Sequence, residues 1–144
     1  MPVLVGWAAV RNDIAWAPVA LFVVMFLWTP PHFWALAIRY ADDYRAAQVP
    51  MLPAVATPQV TVRKMVTYTA AMVAGTLVLW PLGHLGLIYG IAAIVLGGLF
   101  IWGTIDLGKQ PTPQRSMRVF GYSITYVTLL FAAMMIDVFV RHGV

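Results

Sequence analysis

Four long apolar stretches dominate the pattern of hydrophobic and polar positions along the chain. They cover residues 14–38, 65–82, 85–105 and about 119–140, and the first three contain no Asp, Glu, Lys or Arg. A helix needs roughly 20 apolar residues to cross the hydrocarbon core of a bilayer. Lipid offers the backbone no hydrogen-bond partners, and the period-two alternation of a membrane barrel is absent from the sequence. We therefore predict an all-α, polytopic transmembrane helix bundle, multi-pass in the cell (inner) membrane.

The beginning of the chain is also apolar. Residues 1–10 are too few to span a membrane, and they lack the basic start of a signal peptide. We interpret them as the stump of a helix whose beginning is absent. The sequence thus predicts a single membrane domain over residues 1–144 that is a fragment of a longer protein, with Met1 an internal methionine.

Composition excludes several classes of protein. Of 144 residues, 62% are hydrophobic and 10% charged, whereas a soluble domain needs about a quarter charged. The absence of cysteine excludes disulfide frameworks, thiolate zinc sites and cysteine nucleophiles. The net charge of +4 comes from sparse, scattered residues, so we predict no binding to nucleic acid.

The basic residues predict the orientation of the spans. Seven of the nine Lys and Arg residues lie in two connections, residues 39–64 and 106–118. Lys and Arg accumulate in cytoplasmic loops of membrane proteins, so both connections should face the cytoplasm. Arg11 and Arg141 lie on the opposite side.

The connection over residues 39–64 is long and carries two adjacent carboxylates, Asp42 and Asp43, between Arg39 and Arg45. Mg²⁺ favours one or two protein carboxylates together with substrate phosphates, and Arg matches phosphate oxygens. This pattern suggests a site for a divalent cation and a phosphorylated ligand. The alternative is the first turn of a short helix over residues 41–48, in which Asp42 pairs with Arg45 on the surface.

An imidazole lies inside the first span. Pro30 and Pro31 should break the helical hydrogen-bond ladder and leave carbonyls near Phe26 and Leu27 unpaired, just before His32. An ionisable group within a membrane is a functional hypothesis by default. His32 could contact a carboxylate, ligate a metal or donate a hydrogen bond to a ligand, or it could satisfy one of the freed carbonyls.

The remaining polar and small residues favour structural roles. Gly86, Gly90, Ala93 and Gly97 line one helix face, which favours close helix packing over a slot for a ligand. Ionisable groups near span ends are interpreted as solvated interfacial groups: Asp13, His84, Asp106, Asp137 and His142.

Three sequence blocks resemble one family of membrane enzymes. Residues 28–36 read Trp-Thr-Pro-Pro-His-Phe-Trp-Ala-Leu, residues 42–44 read Asp-Asp-Tyr, and residues 49–53 read Val-Pro-Met-Leu-Pro. In this order and spacing they resemble the protohaem IX farnesyltransferases (haem O synthases), which belong to the UbiA superfamily of intramembrane prenyltransferases. Residues 1–7 and 118–120 also fit this family, so the resemblance covers essentially the whole chain.

The resemblance implies nine transmembrane helices around a central cavity, with two aspartate-bearing cytoplasmic loops. This chain would hold the sixth to ninth helices and the second of these loops. The first acidic motif, of the Asn-x-x-x-Asp-x-x-x-Asp kind, is absent here, so the implied partner is an N-terminal half that carries it. Asp42 and Asp43 are adjacent, unlike the Asp-x-x-x-Asp spacing of the superfamily, which leaves open which of them binds the metal.

The implied reaction is Mg²⁺-dependent transfer of a farnesyl group from farnesyl diphosphate to a vinyl group of haem B, within membrane lipid. Asp42 and Asp43 would hold Mg²⁺ as the catalytic pair, and Arg39 would contact the phosphate oxygens. Aromatic faces such as Phe33 could stabilise a carbocation in a dry cavity. The implied substrate-binding residues are His32, which would position the porphyrin or act as a base, and Trp34, Tyr40, Tyr44, Arg45 and Lys64.

Two alternatives remain beside this interpretation. A related prenyltransferase could act on another aromatic acceptor, in which case the segment around Pro30, Pro31 and His32 separates the two functions. A non-catalytic membrane subunit could instead use the acidic loop only to pack on a partner. Diphosphate-dependent Mg²⁺ binding discriminates this last possibility, since a structural subunit should show none.

Overall fold

Seven helices form the described part of the molecule, and it contains no strand. The computed structural model describes residues 2–142, without the side chain of His142, so the prediction made for that side chain lies outside the described residues. The helices are α1 Pro2–Arg11, α2 Trp16–Arg39, α3 Ala41–Ala46, α4 Leu52–Val55, α5 Pro58–Leu82, α6 Leu87–Lys109 and α7 Pro113–His142.

Four of these helices are long and apolar enough to cross a membrane, namely α2, α5, α6 and α7. The short apolar helix α1 precedes them. The predicted all-α bundle with four spans is therefore confirmed, and a short helix precedes the spans.

The long helices pack in a ring. Among the described residues, α2 contacts α5 and α7, and α6 contacts the same two helices from the other side. Gly90 lies against Trp80 and Gly108 against Val62, so α5 and α6 run antiparallel. The end of α2, helices α3 and α4, the start of α5 and the α6–α7 connection therefore share one end of the bundle, called here the loop end.

The two prolines do not interrupt α2, contrary to the sequence-based prediction. The helix is continuous from Trp16 to Arg39, with Pro30 and Pro31 inside it. Each proline removes one backbone donor, but its fixed φ is compatible with a helix. Packing against α5 and α7 keeps the two halves of α2 aligned, so His32 lies on a regular helix rather than beyond a break.

Two helices begin well before the apolar stretches that predicted them. Helix α5 starts at Pro58 and α7 at Pro113. In both, the preceding threonine accepts a hydrogen bond from a backbone N–H of the first turn: Val60 to Thr57 and Arg115 to Thr112, each at 3.4 Å. A threonine followed by proline is a strong helix start, because proline at the first position needs no donor.

Small residues bring α5 and α6 close together, as the sequence predicted. A Cβ at Gly90 would overlap the indole of Trp80, and a Cβ at Gly97 would lie 2.8 Å from a methyl group of Val73. Both contacts leave no space for a side chain. The glycine face of α6 therefore packs against α5.

This packing gives a testable prediction. We expect Gly90→Ala to lower the free energy of unfolding by about 1–3 kcal/mol, because overpacking forces the Trp80 ring to move. Gly98→Ala on the same helix is the matched control, since no atom lies within 4 Å of the new Cβ. Thermal unfolding in detergent micelles measures both variants, and equal midpoints would contradict the packing role of Gly90.

Asp137 is not an interfacial solvated group, so that prediction is wrong. Only 1% of the residue is exposed. Its carboxylate accepts hydrogen bonds from the backbone N–H groups of Gly86 and Tyr89, at the start of α6. The first N–H groups of a helix have no partner within the helix and attract negative charge. Asp137 therefore fastens the end of α7 to the start of α6.

Candidate active site at the loop end of the bundle

The two adjacent carboxylates lie in the first turn of α3. Both residues are solvent-exposed, and the side chain of Asp42 is 96% exposed. Asp42 forms an ion pair with Arg45, which is the surface arrangement that the sequence offered as the alternative. Within the described residues Asp43 forms no ion pair. The site is therefore open, with one carboxylate engaged and one available.

Arg45 also connects α3 to α4. Its Nε donates a hydrogen bond to the backbone carbonyl of Ala54 at 3.1 Å, while its Nη1 contacts Asp42. Gln48 then ends the helical segment with a φ of 55°, and the N–H of Val49 donates to the carbonyl of Tyr44 at 2.9 Å. These contacts hold the first turn of α3 with Asp42 and Asp43, called here the acidic turn, in place beside the end of α2.

The predicted cationic residues are also exposed at this end. The guanidinium of Arg39 lies 5.7 Å from the centre of the Tyr40 ring, and Lys64 lies in the second turn of α5. In the described part of the chain, no group of three or more His, Asp or Glu side chains is close enough to hold a metal. The acidic turn supplies at most two carboxylates, which fits Mg²⁺ only when phosphate oxygens and water complete its shell.

His32 lies deeper in α2 and contacts α7. Its ring stacks between Trp28, at a centroid distance of 4.3 Å, and Phe120, at 4.6 Å. Its Nδ1 lies 2.7 Å from the hydroxyl oxygen of Ser123. The indole Nε1 of Trp28 donates to the backbone carbonyl of Ser123 at 2.9 Å. The observed partner is the Ser123 hydroxyl, which is not among the partners that the sequence suggested for His32: a carboxylate, a metal, a ligand or a freed backbone carbonyl.

The structure brings most of the predicted site residues to the loop end but separates them by depth. Arg39, Tyr40, Tyr44 and the acidic turn lie close in sequence and space, and α5 places Lys64 at the same end. Trp34 packs edge-on against Tyr68 at 5.5 Å, within the wall formed by α2 and α5. His32 lies on the same part of α2 as Trp34, but it contacts Phe120 and Ser123 on α7 instead.

Sequence reasoning missed the residues around His32. Trp28 stands four positions before His32 on the same helix, which is a signal that the two rings share a face. Phe120 and Ser123 gave no such signal, because they lie about 90 positions away on α7. Their proximity follows only from the packing of α2 against α7.

Two cavities lie away from the predicted site. A groove of about 280 Å³ runs between α6 and α7, where Asp106 and Arg115 form an ion pair at 3.1 Å beside Arg118. A larger apolar cavity of about 870 Å³ lies under α1 at the opposite end, with Trp7 and Leu79 in its wall. Neither cavity includes the acidic turn or His32 in its lining.

Comparison with known proteins gives the family. The profile described as "UbiA prenyltransferase family" matches residues 1–136. The chain belongs to the UbiA prenyltransferase family. The resemblance seen in the sequence motifs is thereby confirmed at the level of the family, and this UbiA member, with its four long apolar helices, is a multi-pass membrane protein.

Several relatives of this UbiA member share the name "Protoheme IX farnesyltransferase". The chain is 48% identical to that of Kineococcus radiotolerans over 161 residues, covering 99% of this chain and 48% of the relative. It is 44% identical to that of Streptomyces avermitilis over 147 residues (98% and 48%) and 49% identical to that of Parafrankia sp. over 136 residues (92% and 44%). The chain therefore spans about half the length of the curated relatives it matches. No solved structure matches it.

Proposed function

We propose that this protein transfers a farnesyl group from farnesyl diphosphate to a vinyl group of protohaem IX, in a Mg²⁺-dependent reaction at the loop end. The observation that carries the proposal is that Asp42 and Asp43 lie with Arg39, Arg45 and Lys64 at one end of a largely apolar bundle. An amphiphile with a diphosphate head and an apolar tail matches this distribution of charge. The similarity to proteins named protoheme IX farnesyltransferase supports the choice of substrates.

The acidic turn is proposed as the metal site. Asp43 presents a carboxylate with no ion-pair partner in the described part of the chain, and Asp42 stands next to it in the same turn. Both have the hard oxygen donors that Mg²⁺ prefers, and the diphosphate supplies the remaining oxygens. When bound, Mg²⁺ contributes the positive charge that stabilises the departing diphosphate.

The cationic residues are proposed to orient the diphosphate. Arg39 ends α2 and Lys64 lies near the start of α5, so they approach the loop end from two neighbouring helices. Arg45 is already held by Asp42 and by the carbonyl of Ala54, and its guanidinium retains N–H groups for a phosphate oxygen. Together these side chains stabilise negative charge as the carbon–oxygen bond of the diphosphate ester breaks.

Aromatic side chains are proposed to surround the reacting carbon. Tyr40 and Tyr44 lie beside the acidic turn, while Trp34 lies two turns before it on α2. The faces of such rings attract positive charge, which develops on the allylic carbon when the diphosphate leaves. Phe33 is 48% exposed in this chain, so its face is available to a substrate or to a neighbouring helix.

The bundle is proposed to lie in the cell membrane, with its loop end facing the cytoplasm. The loop end carries all the basic side chains of the described chain except Arg11 and Arg141. An excess of Lys and Arg marks the cytoplasmic side of membrane proteins. Farnesyl diphosphate would then reach the site from the cytoplasm, with its tail entering the bilayer.

The test is a product assay in membranes that contain the protein expressed from its own gene. With haem B, farnesyl diphosphate and Mg²⁺, we expect a haem product heavier by a farnesyl group, detected by chromatography and mass spectrometry. Chelation of Mg²⁺ should abolish the product, and its return should restore it. A product formed equally well after chelation would contradict the metal dependence, and no haem product under any condition would contradict the function.

A further inference from the structure

One hydroxyl group fixes the proton on His32. The hydroxyl of Ser123 donates to the backbone carbonyl of Phe120 at 2.6 Å, in the preceding turn of α7. A serine hydroxyl has one proton to donate, so its oxygen can only accept at its second contact. Nδ1 of His32, 2.7 Å from that oxygen, must therefore carry the proton and donate it. Nε2 is then left with its lone pair, as in other histidines that donate from Nδ1.

The lone pair on Nε2 is available. Within the described residues, His32 makes no hydrogen bond other than that to Ser123. The side chain of His32 is half-buried. In the described part of the chain, the fully buried side-chain polar atom without a hydrogen-bond partner is Thr69 Oγ1, so the unpartnered Nε2 of His32 is not fully buried. A neutral imidazole with one nitrogen held and the other accessible is suited to accepting a proton.

The stacked rings stabilise the product of such a transfer. Trp28 and Phe120 cover the two faces of the imidazole, with interplanar angles of 19° and 24°. An aromatic face attracts a cation, so both rings make favourable contacts with the imidazolium that forms when Nε2 takes a proton. Ser123 continues to accept the Nδ1 proton after protonation of Nε2. The arrangement therefore holds the ring in one orientation in both protonation states.

The depth of His32 suits the reacting carbon. His32 precedes Arg39 by seven positions on α2, so it lies roughly 10 Å further from the loop end on nearly the same helix face. A diphosphate bound by Arg39 and the acidic turn directs its farnesyl chain into the bilayer, toward that depth. The acceptor carbon must meet the first carbon of that chain below the diphosphate.

We propose that Nε2 of His32 is the proton acceptor of the farnesyl transfer and that Ser123 is its positioning residue; this inference depends on the proposed function. The π electrons of the vinyl group form a bond to the first farnesyl carbon, and the carbon–oxygen bond breaks with its electrons leaving on the diphosphate. The carbocation left beside the porphyrin ring is then captured by water or loses a neighbouring C–H proton. Both routes release one proton, which Nε2 takes.

The main test compares two replacements of His32 in membranes that contain the protein expressed from its own gene. His32→Asn keeps an N–H donor near Ser123 but lacks a base at the position of Nε2. We expect kcat to fall at least about 100-fold, with little change in KM for either substrate. His32→Ala should lose kcat similarly and regain part of it when imidazole is added.

A second pair of variants tests Ser123. Ser123→Ala removes the oxygen that holds Nδ1, and we expect kcat to fall about tenfold with KM unchanged, whereas Ser123→Thr should restore it. Thr125→Ala is the matched control, because Thr125 lies on the exposed face of α7 and bonds only to the carbonyl of Gly121. Thermal unfolding in micelles reports whether each variant keeps the fold.

The outcomes separate the two proposals. Wild-type kcat in His32→Asn, or no recovery of a folded His32→Ala with imidazole, would overturn the role of Nε2 while the product of the wild-type protein still supports farnesyl transfer. A wild-type protein that forms no farnesylated haem would overturn both. Equal kcat in Ser123→Ala and wild type would overturn the positioning role alone.

Discussion

Replacing Asp42 and Asp43 together by Asn is expected to reduce kcat by about 10³-fold or more. Loss of the bound metal removes several kcal/mol of transition-state stabilisation, and each 1.4 kcal/mol is a factor of ten in rate. Both residues are exposed on a short helix, so the fold should survive. Turnover of haem B with farnesyl diphosphate, measured in membranes, checks the prediction.

The controls for this variant use the other exposed carboxylate and the two single changes. Asp13→Asn alters an exposed Asp that accepts a hydrogen bond from Trp7, and it should leave turnover unchanged. Asp43→Asn should cost more activity than Asp42→Asn, because Asp42 is already engaged by Arg45. Wild-type turnover in the double variant would reject the acidic turn as the metal site.

The largest loss of stability is expected for Asp137→Ala. The change removes the acceptor for two N–H groups at the start of α6 and leaves a cavity, so the free energy of unfolding should fall by about 2–3 kcal/mol. Asp137→Asn retains one acceptor oxygen and should be affected less. Thermal unfolding in detergent micelles ranks the stabilities of the wild-type protein, Asp137→Asn and Asp137→Ala.

Asp106, near the end of α6, is a matched carboxylate that also connects α6 to α7. Asp106 pairs with Arg115 but is about one-third exposed, so Asp106→Ala should cost less than about 1 kcal/mol. A stability of Asp137→Ala equal to that of Asp106→Ala would show that the buried carboxylate does not hold α7 to α6.

The fold could be predicted wherever the residues of one sequence segment determine the local structure by themselves. Four apolar segments predict four helices, because lipid offers the backbone no hydrogen-bond partners. Gly90 and Gly97 indicate where two of these helices approach closely. The early starts of α5 and α7 could also be predicted, because Thr57 and Thr112 each directly precede a proline. Hydropathy alone missed those polar first turns.

The parts that sequence could not predict depend on residues far apart in the chain. Asp137 resembles any charged residue at a span end until α6 is seen to begin beside it, about 50 positions away. His32 had several possible partners, and only the packing of α2 against α7 selects Ser123. The acidic turn and its Asp42–Arg45 pair were visible in the sequence, and the structure adds that Arg45 also donates a hydrogen bond to the carbonyl of Ala54.

Under the proposed function, the ion pair between Asp42 and Arg45 links the binding of metal and substrate. Mg²⁺ arriving alone must displace a guanidinium from the carboxylate, whereas Mg²⁺ arriving with a diphosphate gives Arg45 a new anionic partner within reach. Each ligand therefore raises the affinity for the other by the same factor, as thermodynamic linkage requires. Arg45 partly neutralises the acidic turn until the ligands bind, so Mg²⁺ and the diphosphate are expected to bind cooperatively.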